Sequence, residues 1–206
     1  MEASNLHFLA ILLLLVTNMS AITSAASSSS FYSSNDNNSN FIKTSCSTTT
    51  YPKLCNQYLS SYASVVRSNP WKLCNCALSV SLQAARNASS LATALSKQRG
   101  LTKAEAGIVA DCVENLGDSI DELKQSIKAM ARIGGPSSST AKDKAEFQMA
   151  NVKTWVSATI TDENTCTDGS TGRKVSAGVK SQIRSSIVDV ARITSNALSL
   201  INSLKY

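Results

Sequence analysis

Thr102-Lys103-Ala104-Glu105 opens the stretch that decides the fold: residues 102–130 read TKAEAGIVADCVENLGDSIDELKQSIKAM. A threonine followed three residues later by a glutamate is a capping box, in which the two side chains satisfy backbone N–H groups at a helix start. Behind it Val109, Cys112, Leu116, Ile120, Leu123, Ile127 and Met130 return at steps of three and four, the period of one helix face. Gly134-Gly135-Pro136 stops the run.

The pattern repeats on both sides. Upstream, Asn69-Pro70 puts a capping residue before a proline at a first helical position. Leu73, Ala77, Val80, Ala84, Ala88, Leu91 and Leu95 follow at helical spacing, down to Gly100. Downstream, a run begins near Thr140 with Ala145, Met149, Val152, Val156 and Ile160, and Asp168-Gly169-Ser170-Thr171-Gly172 breaks it. The last run carries Val175, Val179, Ile183, Ile187, Val190, Thr194, Ala197, Ile201 and Leu204. No segment alternates like a strand, and Pro52, Pro70 and Pro136 all fall at element boundaries. The expected fold is all-α: an antiparallel up-down-up-down four-helix bundle over 69–206. Its helices should be roughly 30–45 Å long at about 1.5 Å per residue. Residues 46–67 form a smaller helical extension ahead of it.

The N-terminus reads differently. Phe8 to Val16 (FLAILLLLV) is an apolar run followed by small residues ending in Thr23-Ser24-Ala25. A cleaved secretory signal is expected over 1–25; the run is too short to span a bilayer. Residues 26–40 (ASSSSFYSSNDNNSN) are nearly uncharged and are expected to be a disordered leader. Asn37-Asn38-Ser39 and Asn87-Ala88-Ser89 are glycosylation sequons open to use in a secreted chain.

The chain has 206 residues, with 20 Lys+Arg against 14 Asp+Glu, one histidine and a formal net charge of +6. Signal cleavage removes Glu2 and the histidine, His7, raising the charge from +6 to +7. A chain without histidine cannot run a Ser-His-Asp or Cys-His relay, nor build a His-containing zinc site. There is no metal-binding run of acids and no Gly-rich phosphate loop. A binder is therefore expected rather than an enzyme, monomeric, of one domain, with no cofactor and no metal. No membrane association is expected after cleavage, and no nucleic-acid recognition motif is present.

Six cysteines in a secreted domain imply disulfides, and six allow fifteen full pairings. Cys46 and Cys55 bracket Thr48-Thr49-Thr50-Tyr51-Pro52, a segment able to fold back on itself. Cys112 lies on the stripe of the second long helix and Cys166 just after the third, so a bridge between them would tie two bundle helices. In the chain-entropy model the short and long loops would contribute about 2.7 and about 4.2 kcal/mol at most. Cys74 and Cys76, two apart on a helix, face nearly opposite ways and cannot bridge each other. They read as two free buried side chains, with a bond to another molecule or rearranged pairing as alternatives. Cys-x-Cys alone is an incomplete metal site.

Four features in order resemble the plant invertase and pectin methylesterase inhibitor family. They are Cys46-x8-Cys55 containing Thr50-Tyr51-Pro52; a helical bundle; Asp111-Cys112-Val113-Glu114-Asn115-Leu116 with Asp118, Ile120, Asp121 and Leu123; and Thr165-Cys166 with Asp168. Ser195-Asn196-Ala197-Leu198 near the end of the last helix also fits. The resemblance covers 41–206. It implies a helical hairpin over 41–68 ahead of the bundle, and bridges Cys46–Cys55 and Cys112–Cys166. It implies a secreted, apoplastic, non-enzymatic protein that binds one-to-one over the active-site cleft of pectin methylesterase or, alternatively, acid invertase. Glu114, Asp118 and Asp121 match the family's acidic contact positions, stepping by four and three along one helix face. Thr165 and Asp168 match further contact positions. An acidic face implies a complex that weakens as pH rises. Invertase inhibitors of the family use a Pro-Lys-Phe segment before the last helix, whereas 167–175 contains neither proline nor phenylalanine. The family's unpaired cysteine in the last helix is replaced by residues such as Val190 or Ala191. The alternative from another class is a basic, pectin-associated matrix protein without inhibitory activity, its weak association with pectin carried by Lys142, Lys144 and Lys153, or by Arg173, Lys174, Lys180 and Arg184.

Overall fold

The computed structural model of the protein describes residues 28–133, 141–171 and 175–205. The expected signal (1–25), the Gly134-Gly135-Pro136 stop, and Arg173 and Lys174 lie outside these residues. Asn35–Tyr206 form one compact unit, and of the residues before Asn35 only the start of a helix is described. Every regular element among the described residues is helical.

The elements are α1 (Ser28–Ser47), α2 (Pro52–Leu59), a 3₁₀ turn (Ser60–Tyr62), α3 (Ala63–Val66), and four long helices: α4 (Pro70–Ser96), α5 (Lys103–Ile133), α6 (Ala141–Gly169) and α7 (Ala177–Asn202). Each long helix packs on the next, and α7 returns to α4. This closes the expected four-helix bundle. Its core joins Leu73 and Leu78 of α4, Leu116, Leu123 and Met130 of α5, Met149, Val152 and Val156 of α6, and Ile183, Ile187 and Ile201 of α7.

Local chemistry starts and stops these helices. Arg67 and Ser68 take left-handed φ values of 48° and 55°, which ends α3 and turns the chain. Asn69 then caps α4, its Oδ1 accepting from Lys72 N at 3.0 Å, with Pro70 at the first turn. Ser176 caps α7 in the same way, its Oγ accepting from Val179 N at 3.4 Å.

The structure corrects the sequence reading in several places. The stretch read as a disordered leader is helical from Ser28. Ile42 and Cys46 anchor the end of α1 in the core, and extending a helix from an anchored turn is far easier than nucleating one. Cys166 lies within α6 rather than after it. The stripe continues past Val156 through Thr159, Glu163 and Cys166, all buried, whereas Ile160 is only half-buried. On α5, Ser119 and Ser126 occupy the core positions assigned to Ile120 and Ile127, which are half-buried. Leu91, placed on the α4 stripe, is 59% exposed and Ala92 is buried instead.

Candidate functional site

The α5–α6 pair carries the residues singled out as contacts. Cys112–Cys166 ties the two helices with a Cα–Cα distance of 4.7 Å. Two helical turns further along the pair they are still close: Ser119 Oγ donates to the Thr159 carbonyl at 3.4 Å. Small serines at the contact permit this approach. Glu114 follows the bridge on α5, and Thr165 and Asp168 flank it on α6, so the geometry brings all three to the same level. Asp118 and Asp121 extend the face along α5. All five are exposed.

Most of this face makes only local bonds. Asp121 pairs with Lys124 Nζ at 2.8 Å, across two exposed side chains, a pair worth little in water. Thr165 Oγ1 donates to the Thr161 carbonyl at 2.8 Å. The carbonyl of Asp168 accepts from Thr171 Oγ1 at 2.7 Å, which closes the C-terminal end of α6.

Under the exposed acids lies a second acidic group that sequence reasoning missed. Glu122 accepts from Thr159 Oγ1 at 3.1 Å. Its carboxyl is pushed up to about 7 by burial, opposed by the Thr159 hydrogen bond and reinforced by Asp162 and Asp118. Burial and Asp118 raise Asp162. Glu163 is fully buried, and burial with Asp162 and Glu122 nearby raises it well above the carboxylate range. One signal was present: Glu163 stands at helical spacing between Val156 and Cys166.

The end of the bundle nearest the Cys112–Cys166 bridge is held by Glu105. Its Oε2 accepts from Thr102 N at 2.9 Å, while Glu105 N donates to Thr102 Oγ1 at 3.2 Å. Its Oε1 accepts from Ser176 N at 2.9 Å. Hydrogen bonds from Ser176 and then Thr102 hold the carboxyl down at about 2.

The extension is fastened to the bundle by Asn196. Tyr51 N donates to Asn196 Oδ1 at 2.8 Å, and Asn196 Nδ2 donates to the Tyr51 carbonyl at 3.0 Å. Thr50-Tyr51-Pro52 and Ser195-Asn196 are thus two halves of one junction. Cys46–Cys55 closes the loop around it, with Cα atoms 5.5 Å apart.

The other expected features stand apart from the α5–α6 face. Cys74 and Cys76 are free and buried; burial pushes the Cys74 thiol up to about 12 and raises Cys76, so neither presents a reactive thiolate. Asn37 on α1 and Asn87 on α4 are exposed. Lys142 pairs with Glu146 at 3.9 Å. Among the described residues no group of His, Cys, Asp and Glu has the makings of a metal site, and no helix is long and apolar enough to cross a membrane.

Residues 40–200 match the family model described as "Plant invertase/pectin methylesterase inhibitor". The chain is 41% identical to "21 kDa protein" of Daucus carota, over 80% of this chain and 83% of that one. It is 46% identical to "Pectinesterase inhibitor 10" of Arabidopsis thaliana, over 79% of this chain and 50% of the relative. Its fold resembles a solved structure titled "Crystal structure of mutant form A of a pectin methylesterase inhibitor from Arabidopsis", with a TM-score of 0.60 and 18% identity over 80% of this chain and 97% of that one. The chain belongs to the plant invertase/pectin methylesterase inhibitor family. It is accordingly an inhibitor-type protein and not an enzyme.

Proposed function

We propose that this protein inhibits pectin methylesterase by laying the α5–α6 face across the enzyme's substrate cleft, in a one-to-one complex. The observation that carries this reading is the row of exposed acids Glu114, Asp118 and Asp121 on α5, joined at Cys112–Cys166 to Thr165 and Asp168 on α6. The likeness to proteins named pectinesterase inhibitors, at 46% and 43% identity, supports the choice of target. Inhibition is steric: the bundle occupies the cleft and contributes no reacting group.

Rigidity makes a steric inhibitor effective, because a surface ordered beforehand loses little entropy on binding. The bridge and the interdigitated stripes supply it on α5 and α6. The protein acts outside the cell, in the wall where pectin lies, after removal of residues 1–25. Asn37 and Asn87 are its candidate glycan sites there. Neither lies on α5 or α6, so a glycan on either leaves the proposed face clear.

Size-exclusion chromatography of the oxidised chain mixed with a pectin methylesterase tests the stoichiometry. A single peak at the summed mass is expected, and an Asp118→Lys substitution should weaken it. Separate peaks at pH 5 contradict the proposal.

A further inference from the structure

Both carboxylate oxygens of Glu163 are buried without a hydrogen-bond partner. The residue sits in the α6 stripe one turn before Cys166 and is 0% exposed. The charges that act on it are Asp162 on its own helix and Glu122 on α5, both acidic. α4 and α7 carry Lys72, Arg86, Lys180, Arg184, Asp189 and Arg192, and none of them is among the charges that act on Glu163. No ion pair found among the described residues involves it. An ionised carboxylate there loses its water and gains no donor or cation, which is strongly unfavourable. A protonated carboxyl avoids that cost. Glu122 lies half-buried at the same helix contact, held by Thr159, sharing a side-chain hydrogen bond with Asp162 and facing the like charge of Asp118.

We propose that Glu163 and Glu122 form a proton-operated latch between α5 and α6, closed while the two carboxyls hold their protons and loosened when they ionise. The latch is a property of the free chain. Its use rests on the inhibitor reading above: the helices it joins carry the contact face, so loosening their packing beyond the Cys112–Cys166 tether frees Asp118 and Asp121 from the positions they hold beside Glu114, Thr165 and Asp168. The protein is thereby built for an acidic compartment.

The direction follows from proton counting. Above the ordinary glutamate value of 4.5 the unfolded chain has released protons that the folded chain keeps. The folding constant therefore falls as pH rises, up to tenfold per pH unit for each carboxyl protonated only in the folded state. For Glu122 the fall runs to about 7, and Glu163, raised well above 4.5, adds to it in the same direction.

Urea unfolding of the full oxidised chain between pH 5 and 8, without any enzyme, tests the latch. The wild-type folding constant should fall at least tenfold between pH 5 and 7. Glu163→Gln should remove up to tenfold per pH unit of that slope and be the more stable chain at pH 8, and Glu122→Gln should flatten the lower half. Carboxyl carbon NMR on the unaltered chain reads Glu163 directly, whether or not Glu163→Gln folds, and should find it protonated at pH 6. A flat wild-type profile, slopes unchanged in both variants, or a Glu163 carboxyl titrating at its ordinary value overturns the latch. A chain with the expected pH profile that inhibits no pectin methylesterase upholds the latch and overturns only the functional reading.

Discussion

Glu105 Oε1 accepts the backbone N–H of Ser176 at 2.9 Å, across 71 residues of sequence. Ser176 is the N-cap of α7, and Glu105 closes the capping box of α5 with Thr102. One carboxylate therefore serves the starts of two helices and fixes their relative height. Glu105→Gln should lower the thermal midpoint at pH 5, because a charge-assisted acceptor is replaced by a neutral one. The carboxyl is held down at about 2 against an ordinary 4.5. Its stabilisation is complete above 4.5 and is lost as pH falls through about 2. Thermal melts from pH 5 to 2 should therefore decline less steeply in Glu105→Gln than in wild type.

The Tyr51–Asn196 junction predicts a local effect. Asn196→Ala removes two hydrogen bonds to the Tyr51 backbone, at a cost of about 1–3 kcal/mol in urea unfolding. Amide exchange should accelerate in α2 and around Tyr51 and change little in α6. Uniform acceleration through the whole bundle would show that Asn196 does not act through this junction.

The two bridges should differ in worth. Replacing Cys112 and Cys166 by serine removes a link spanning 54 residues, and replacing Cys46 and Cys55 one spanning 9. The long bridge should contribute up to about 4.2 kcal/mol and the short one up to about 2.7 kcal/mol, read from urea midpoints. Cys74 and Cys76 should stay unlabelled by a thiol reagent in the folded oxidised chain and label on unfolding.

What the sequence revealed depended on whether a stripe was apolar. Every α7 position assigned from Val179 to Ile201 is buried, because Val, Ile, Ala and one Thr repeat without interruption. In α6 the stripe passes through Thr159 and Glu163, which no hydrophobicity pattern marks as interior, so the apolar pattern stops at Ile160 while the helix runs on to Gly169. Ser119 and Ser126 hid in the same way beside the larger Ile120 and Ile127. The Thr102–Glu105 box was legible because its partners are three residues apart. The second bond of Glu105 joins residues distant in sequence, and so does the pairing of Tyr51 with Asn196. Of the site, Glu114, Asp118 and Asp121 were readable from spacing and resemblance. Glu122, Asp162 and Glu163 become a group only once α5 and α6 are packed.

Charge reversal on the face should act on binding and spare the fold. Glu114→Lys, Asp118→Lys and Asp121→Lys alter exposed side chains, so each should shift the urea midpoint by no more than about 0.5 kcal/mol. The three together should weaken inhibition at least tenfold, because they remove three carboxylate contacts and put longer side chains against the cleft. Thr165→Ala and Asp168→Ala should add to the loss. Inhibition unchanged in the triple variant would move the contact surface elsewhere on the bundle.

The most direct measurement titrates the oxidised protein, side by side, against a pectin methylesterase and an acid invertase between pH 5 and 7. Loss of pectin methylesterase activity that saturates at one inhibitor per enzyme, strongest at pH 5, with invertase unaffected, is the expected result. Pectin methylesterase activity untouched across that range contradicts the proposed function, whatever becomes of the invertase.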